Sequence, residues 1–142
     1  MNKLNKCIEC GSKVLIEFND TIKHEEDGKV YIIKDVPAIK CDACGEVYYT
    51  AEASKYIDKQ LWIFRSNGFV NNSKEAIKSK GYSQEELGNL LDLTKQRINQ
   101  ITKDTNLDAQ TMIKIANAIN EPVENIFKFK RVVQKNNEYY LE

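Results

Sequence analysis

Ser83-Gln84-Glu85-Glu86-Leu87-Gly88-Asn89-Leu90-Leu91-Asp92-Leu93-Thr94-Lys95-Gln96-Arg97-Ile98-Asn99-Gln100-Ile101-Thr102-Lys103-Asp104 decides the fold of the second half of the chain. Ser83, with Glu86 three residues on, forms a capping box in which hydroxyl and carboxylate each satisfy an amide left free at a helix start. Leu87, Leu90 and Leu91 supply that helix's buried face. After a short turn, Leu91-Asp92-Leu93, Thr94 caps a second helix, and the two are expected to pack through Leu87, Leu93, Ile98 and Ile101. With Ile98 and Ile101 facing in, helical geometry turns Lys95, Gln96, Arg97, Asn99, Gln100 and Lys103 outward. All six are donor-rich. Amides pair bidentately with adenine, Arg and Lys with guanine, and cations neutralise phosphate. An ordinary polar helix face is the competing explanation. Against it, Thr94 to Lys103 holds no carboxylate, in a chain whose 21 acids balance 21 bases.

Further helices follow. Asp108 caps one with an apolar stripe of Met112, Ile113, Ile115, Ala116 and Ile119, and Pro122 takes a first-turn position of a short helix ending at Phe127. Beyond it, Phe129, Val132-Val133, Asn136-Asn137 and Tyr139-Tyr140-Leu141 suggest a β-hairpin with an Asn-Asn turn. Working back from Ser83, Asn71-Asn72-Ser73 reads as a polar linker with a helix cap. Ser66-Asn67-Gly68 ends a helix over Ala51 to Arg65, where Ile57, Leu61 and Phe64 recur at helical spacing.

The first fifty residues read differently. Lys13 to Phe18 and Lys29 to Ile33 have strand composition, Asn19-Asp20 and Asp27-Gly28 mark turns, and Pro37 is expected to limit any strand that reaches it. Cys7-Ile8-Glu9-Cys10-Gly11 and Cys41-Asp42-Ala43-Cys44-Gly45 form two CxxCG knuckles separated by thirty residues. Each puts two thiols on one side of a tight turn whose amides point at sulfur, and a closed set of four thiolates suits structural zinc. Two disulfides are the competing reading, disfavoured in a reducing compartment. A redox-active CxxC lacks its usual βαβ surroundings, and a four-thiolate iron site is the less common alternative. His24, the one histidine, lies in a charged stretch and reads as plain surface. So small a domain holds few apolar residues, and metal coupled to folding contributes about 10–16 kcal/mol in small zinc peptides.

Composition sets the outer bounds. The net charge of zero makes no whole-chain case for nucleic acid, and Met1 to Thr50 carries nine acids against seven lysines. Local patches therefore matter more than the total. No apolar run reaches the about 20 residues that span a bilayer, and no apolar signal region precedes Cys7, so a cytoplasmic location is expected. No Ser-His-Asp set, phosphate-binding glycine loop or open metal position suggests an enzyme.

Ser83-Gln84-Glu85-Glu86-Leu87, Leu93-Thr94, Ile98, Ile101 and Ile115-Ala116-Asn117-Ala118-Ile119 resemble the XRE/Cro-type helix-turn-helix family over about Ser73 to Phe127. The resemblance implies Gln96 and Gln100 as base readers, with Lys95 and Arg97 shared between bases and phosphate. Gly88 stands where that family usually has Ala, Asp92 where it often has Gly, and Thr102 where Glu is frequent. Val36-Pro37-Ala38-Ile39-Lys40 before Cys41, and Glu46-Val47-Tyr48-Tyr49 after Gly45, make the knuckles similar to the YgiT-type zinc finger. The two together resemble the MqsA antitoxin family. That implies one structural Zn2+ on Cys7, Cys10, Cys41 and Cys44, a small toxin bound through the zinc domain, operator DNA bound by the helix-turn-helix, and a homodimer. The expected fold is α+β: a β-rich zinc domain over 1–50, a connecting helix and linker over 51–72, and an all-α helix-turn-helix domain over 73–127. An extension over 128–142 follows, whose Phe129, Val133, Tyr139 and Tyr140 are candidates for a dimer interface.

Overall fold

The computed structural model describes residues 5–142. In chain order the elements are β1 (Leu15–Glu26), β2 (Lys29–Cys41), β3 (Val47–Tyr49), α1 (Ala51–Arg65), β4 (Phe69–Asn71), α2 (Ser73–Ser79) and α3 (Gln84–Leu91). Then come α4 (Lys95–Lys103), α5 (Ala109–Ala118), α6 (Val123–Ile126), β5 (Phe127–Phe129), β6 (Val132–Lys135) and β7 (Glu138–Leu141). They form two compact units. One joins the chain up to Arg65 with Val132–Glu142, and the other is Ser66–Arg131.

In the first unit β1 and β2 are long antiparallel partners joined by the Asp27-Gly28 turn. The turn expected at Asn19-Asp20 is instead an irregularity inside β1. The register shifts between Asp20 and Ile22, opposite Asp35, which takes a left-handed φ of 60°. That conformation absorbs the extra residue as a bulge and lets the strands stay paired. Likewise β2 does not stop at Pro37. Its second edge is paired at Val30 and Tyr31 with β7 and from Ala38 to Lys40 with β3, so the proline falls in the gap between them.

The hairpin expected near the chain's end is present, with Asn136 in the turn at φ 58°. Its place was not foreseen. Strand β7 runs parallel to β2, matching Val30 to Glu138 and Tyr31 to Tyr139. The core of this unit comprises Tyr31, Ile33, Val36, Ala53, Leu61 and Phe64, with Val132, Tyr139 and Leu141 packed on it. Tyr31 stacks on Phe64 at 4.6 Å and meets Tyr139 edge-on at 6.0 Å. Helix α1 is thus a wall of the cysteine unit rather than a connector, and 132–142 is part of its sheet rather than an extension. Apolar residues scattered over three segments make one core, which answers the shortage apparent in residues 1–50 taken alone.

The second unit is built on Ile77, Leu87, Ile98, Ile101, Ile115, Ala116, Ile119, Ile126 and Phe127. Ser83, Thr94 and Asp108 cap their helices as expected, each side chain accepting the amide three residues on. Asp92 ends α3 at φ 57°, ψ 42°, the left-handed turn in which the family often has glycine. Three apolar residues placed inward from their spacing lie outside. Leu90 on α3 is 61% exposed, Ile113 on α5 47%, and Leu93, in the turn between α3 and α4, 37%. Pro122 precedes α6, and Phe127 begins β5 instead of ending the helix. The α+β class holds, and the helical unit also carries a two-stranded antiparallel ribbon, β4 on β5. Three-residue strands are too short to show a period in the sequence.

Candidate metal centre and nucleic-acid interface

Cys7 and Cys10 lie on one knuckle before β1, while Cys41 and Cys44 lie on another at the end of β2. Their Sγ atoms all fall within 4.8 Å of one another, with Cys7 to Cys44 and Cys10 to Cys41 at 3.5 Å. A Zn–S bond of about 2.3 Å sets tetrahedron edges near 3.8 Å, so the four sulfurs fit one metal ion. The shortest gaps far exceed the about 2.05 Å of a disulfide. Among the described residues this is the group of His, Cys, Asp and Glu side chains close enough to share an ion. His24 stands apart on β1, with Nε2 3.7 Å from Glu26.

The knuckles are built alike. The Gly11 and Gly45 amides donate to the Cys7 and Cys41 carbonyls at 2.9 Å each, and both glycines hold positive φ (74° and 79°). The sulfurs do not ionise alike. The Tyr48 hydroxyl, 3.2 Å from Cys7 Sγ, and then the Cys10 and Glu9 amides bring Cys7 down to about 6. The Glu46 amide favours the Cys44 thiolate, but Cys7 and burial override it and push that thiol up to about 12. Four sulfurs this close cannot all carry charge unless a cation shares them, and every knuckle amide in this set is arranged for the thiolate. Tyr48, on β3 opposite Ile39, touches the cysteine cluster, a contact that cysteine spacing did not single out. Its signal was a place in the Glu46-Val47-Tyr48-Tyr49 stretch that carries the zinc-finger resemblance.

On α4 the expected face is largely as placed. Ile98 and Ile101 are buried, Lys95, Gln96, Arg97, Gln100 and Lys103 are exposed, and Asn99 is half-buried rather than outward. Thr94 Oγ1 accepts the Arg97 amide at 3.1 Å, fixing the first turn from which the exposed residues project. Thr102 is buried, its hydroxyl donating to the Asn99 carbonyl at 2.7 Å. Asp108 is held below its usual range by Thr111 first, and then by Lys114 and Arg97.

The other end of α4 is pinned from β4. Asn71 Nδ2 donates to the carbonyls of Ile101 (2.9 Å) and Asp104 (3.0 Å), while its Oδ1 accepts from the Ser73 amide and hydroxyl. By composition Asn71 belongs to a polar linker. Its neighbours Asn72 and Ser73 gave no hint that it reaches thirty residues ahead.

A helix capped at Thr94, anchored at Asn71 and presenting amide and cationic side chains is the architecture of a helix-turn-helix DNA-binding domain. Residues 74–126 match the Helix-turn-helix family, and the chain carries an XRE-type domain over that span beside its four-cysteine cluster. No curated protein matches the chain. Among the described residues, no helix is long and apolar enough to cross a membrane.

Proposed function

We propose that this protein is a sequence-specific transcriptional repressor and the antitoxin of a type II toxin-antitoxin pair, acting in the cytoplasm without catalysis of its own. The observation that carries the DNA half is α4, where two buried isoleucines leave Lys95, Gln96, Arg97, Gln100 and Lys103 exposed on one short helix. Gln96 and Gln100 read base edges, Lys95 and Arg97 divide between bases and phosphate, and Lys103 contacts phosphate. Asn99, half-buried on the same helix, is assigned to the same DNA-contacting set. Two copies place two such helices about 34 Å apart on a palindrome, one turn of B-DNA.

Cys7, Cys10, Cys41 and Cys44 hold a structural Zn2+ in this reading, and the ion supplies a closed tetrahedral clamp rather than reactivity. The chain's own residues do the rest, with knuckle amides and Tyr48 stabilising the sulfur charge. The metal unit is assigned the toxin. Support comes from the pairing of CxxCG knuckles with an XRE-type domain in one chain, a combination that resembles the MqsA family.

Purified protein should bind a duplex from its own promoter with affinity that falls steeply as salt rises, by about 0.9 log unit per log unit of salt for each neutralised phosphate. Absence of any such binding sinks the proposal. Gln96→Ala and Gln100→Ala should each cost about 1–3 kcal/mol on the promoter and much less on unrelated DNA. Equal loss on both would make these residues positioning groups. A stand-alone regulator is the second reading. A small protein encoded next to this gene that co-purifies with the chain favours the antitoxin, and a solitary gene favours the regulator.

A further inference from the structure

The β4–β5 ribbon has no part in the function described so far beyond carrying Asn71. Its two strands come from the two longest acid-free runs of the chain, 59–74 and 125–137. On β5, Phe127 is buried in the helical core, Lys128 follows it opposite Val70, and Lys130 lies just past the end of the strand. Both lysines are exposed. Among the described residues neither has an ion-pair partner, whereas Lys80 in the same unit is held by Glu121 at 2.7 Å. Unopposed cations on a ribbon without a carboxylate form a surface suited to a polyanion.

Its position says which polyanion. Asn71 ties β4 to the carbonyls of Ile101 and Asp104, and therefore to the last turn of α4, where Lys103 lies. The N-terminal residues of a recognition helix read base edges, and its other end lies toward the sugar-phosphate wall of the groove. The ribbon thus continues the cationic surface of α4 on the side where phosphate is expected.

We propose that the β4–β5 ribbon is a second DNA-contacting element, in which Lys128 and Lys130 grip the phosphate backbone beside the groove that α4 enters. It rests on the helix-turn-helix binding DNA, and it assigns the ribbon to affinity and register, not to base choice.

The test compares the full chain with the double variant Lys128→Gln/Lys130→Gln and with Gln96→Ala/Gln100→Ala. Fluorescence anisotropy is read on the promoter duplex and on a scrambled duplex across a salt series. The lysine variant should lose affinity on both duplexes alike, on the order of tenfold to a hundredfold near 0.1 M salt, with the salt slope reduced by roughly 2 per protomer. Its preference for promoter over scrambled DNA should stay at the wild-type ratio, while the glutamine variant loses that preference. Unchanged affinity and slope in the lysine variant, with wild type binding normally, overturns this proposal alone. Wild type binding neither duplex overturns both readings. Wild-type DNA affinity in the lysine variant with loss of a co-purifying protein assigns the patch to a protein and also overturns it. Lys128→Glu/Lys130→Glu gives a second measure, and its loss should exceed that of the glutamines.

Discussion

Gly88 shows how one residue can oppose its own propensity. Alanine is the better helix former by about 1 kcal/mol, and the XRE/Cro-type pattern usually has it at this place. Here a Cβ would sit 2.6 Å from the Leu93 carbonyl oxygen, a backbone atom of the turn whose Leu93 amide returns to the Gly88 carbonyl at 2.8 Å. Neither end can yield without moving the start of α4. Gly88→Ala should therefore destabilise the helical unit by about 1–3 kcal/mol, overlap outweighing propensity, as a lower urea midpoint by helical CD. A raised midpoint would mean that the turn shifts freely. The sequence displayed Gly88 as a departure from pattern, and Asp92 as a residue tolerant of left-handed backbone. That the first approaches the turn so closely is a distance no residue count contains. Tyr48 stood in a quoted stretch, but its hydroxyl's place 3.2 Å from a sulfur forty-one positions away was illegible for the same reason.

Elements were legible where they were long or capped. The helix over Ala51 to Arg65 and the caps at Ser83, Thr94 and Asp108 could be read directly, since each rests on contacts within four residues. The ribbon and the pairing of β7 with β2 could not, because both depend on partners scores of residues away. Asn71 joins the two kinds. Asn71→Ala removes two bonds to the end of α4 and should cost about 1–3 kcal/mol in chemical denaturation of the helical unit. A cost near zero would mean that water replaces the amide. A second junction depends on pH. Arg65 at the end of α1 grips Glu26 at the end of β1 through Nε and Nη2 at 2.9 and 2.6 Å, holding that carboxyl below its usual range. A lowered folded pKa adds stability above the ordinary carboxylate range and loses it as pH falls through the folded value. Glu26→Gln should therefore melt below wild type at neutral pH, and the gap should close as the solution is acidified. Equal melting of the two proteins at neutral pH would show that the pair contributes nothing.

For the whole molecule the telling fact is that Ser66–Arg131 is inserted within the unit that carries the cysteines. A domain limit near residue 50 looked natural from composition, yet the core needs Leu61 and Phe64 from α1 and Tyr139 and Leu141 from β7. Deleting residues 132–142 should consequently abolish tight metal binding although all four cysteines remain. The helical unit should keep its cooperative melt by CD. Bound metal at full stoichiometry in that variant would show that the knuckles stand without the sheet. Treating the intact protein with a strong chelator should likewise remove the strand signal before the helical one. Insertion also sets an order in biosynthesis. Tyr31 and Tyr139 are neighbours in the finished sheet, but the ribosome makes them 108 positions apart, about 5–20 seconds at roughly 5–20 residues per second. Throughout that interval the Val30–Tyr31 stretch of β2 keeps an open edge, while β3 and the inserted helices can already form. An early-captured metal ion would clamp one end of β2, and the rest would wait for translation to deliver its partner.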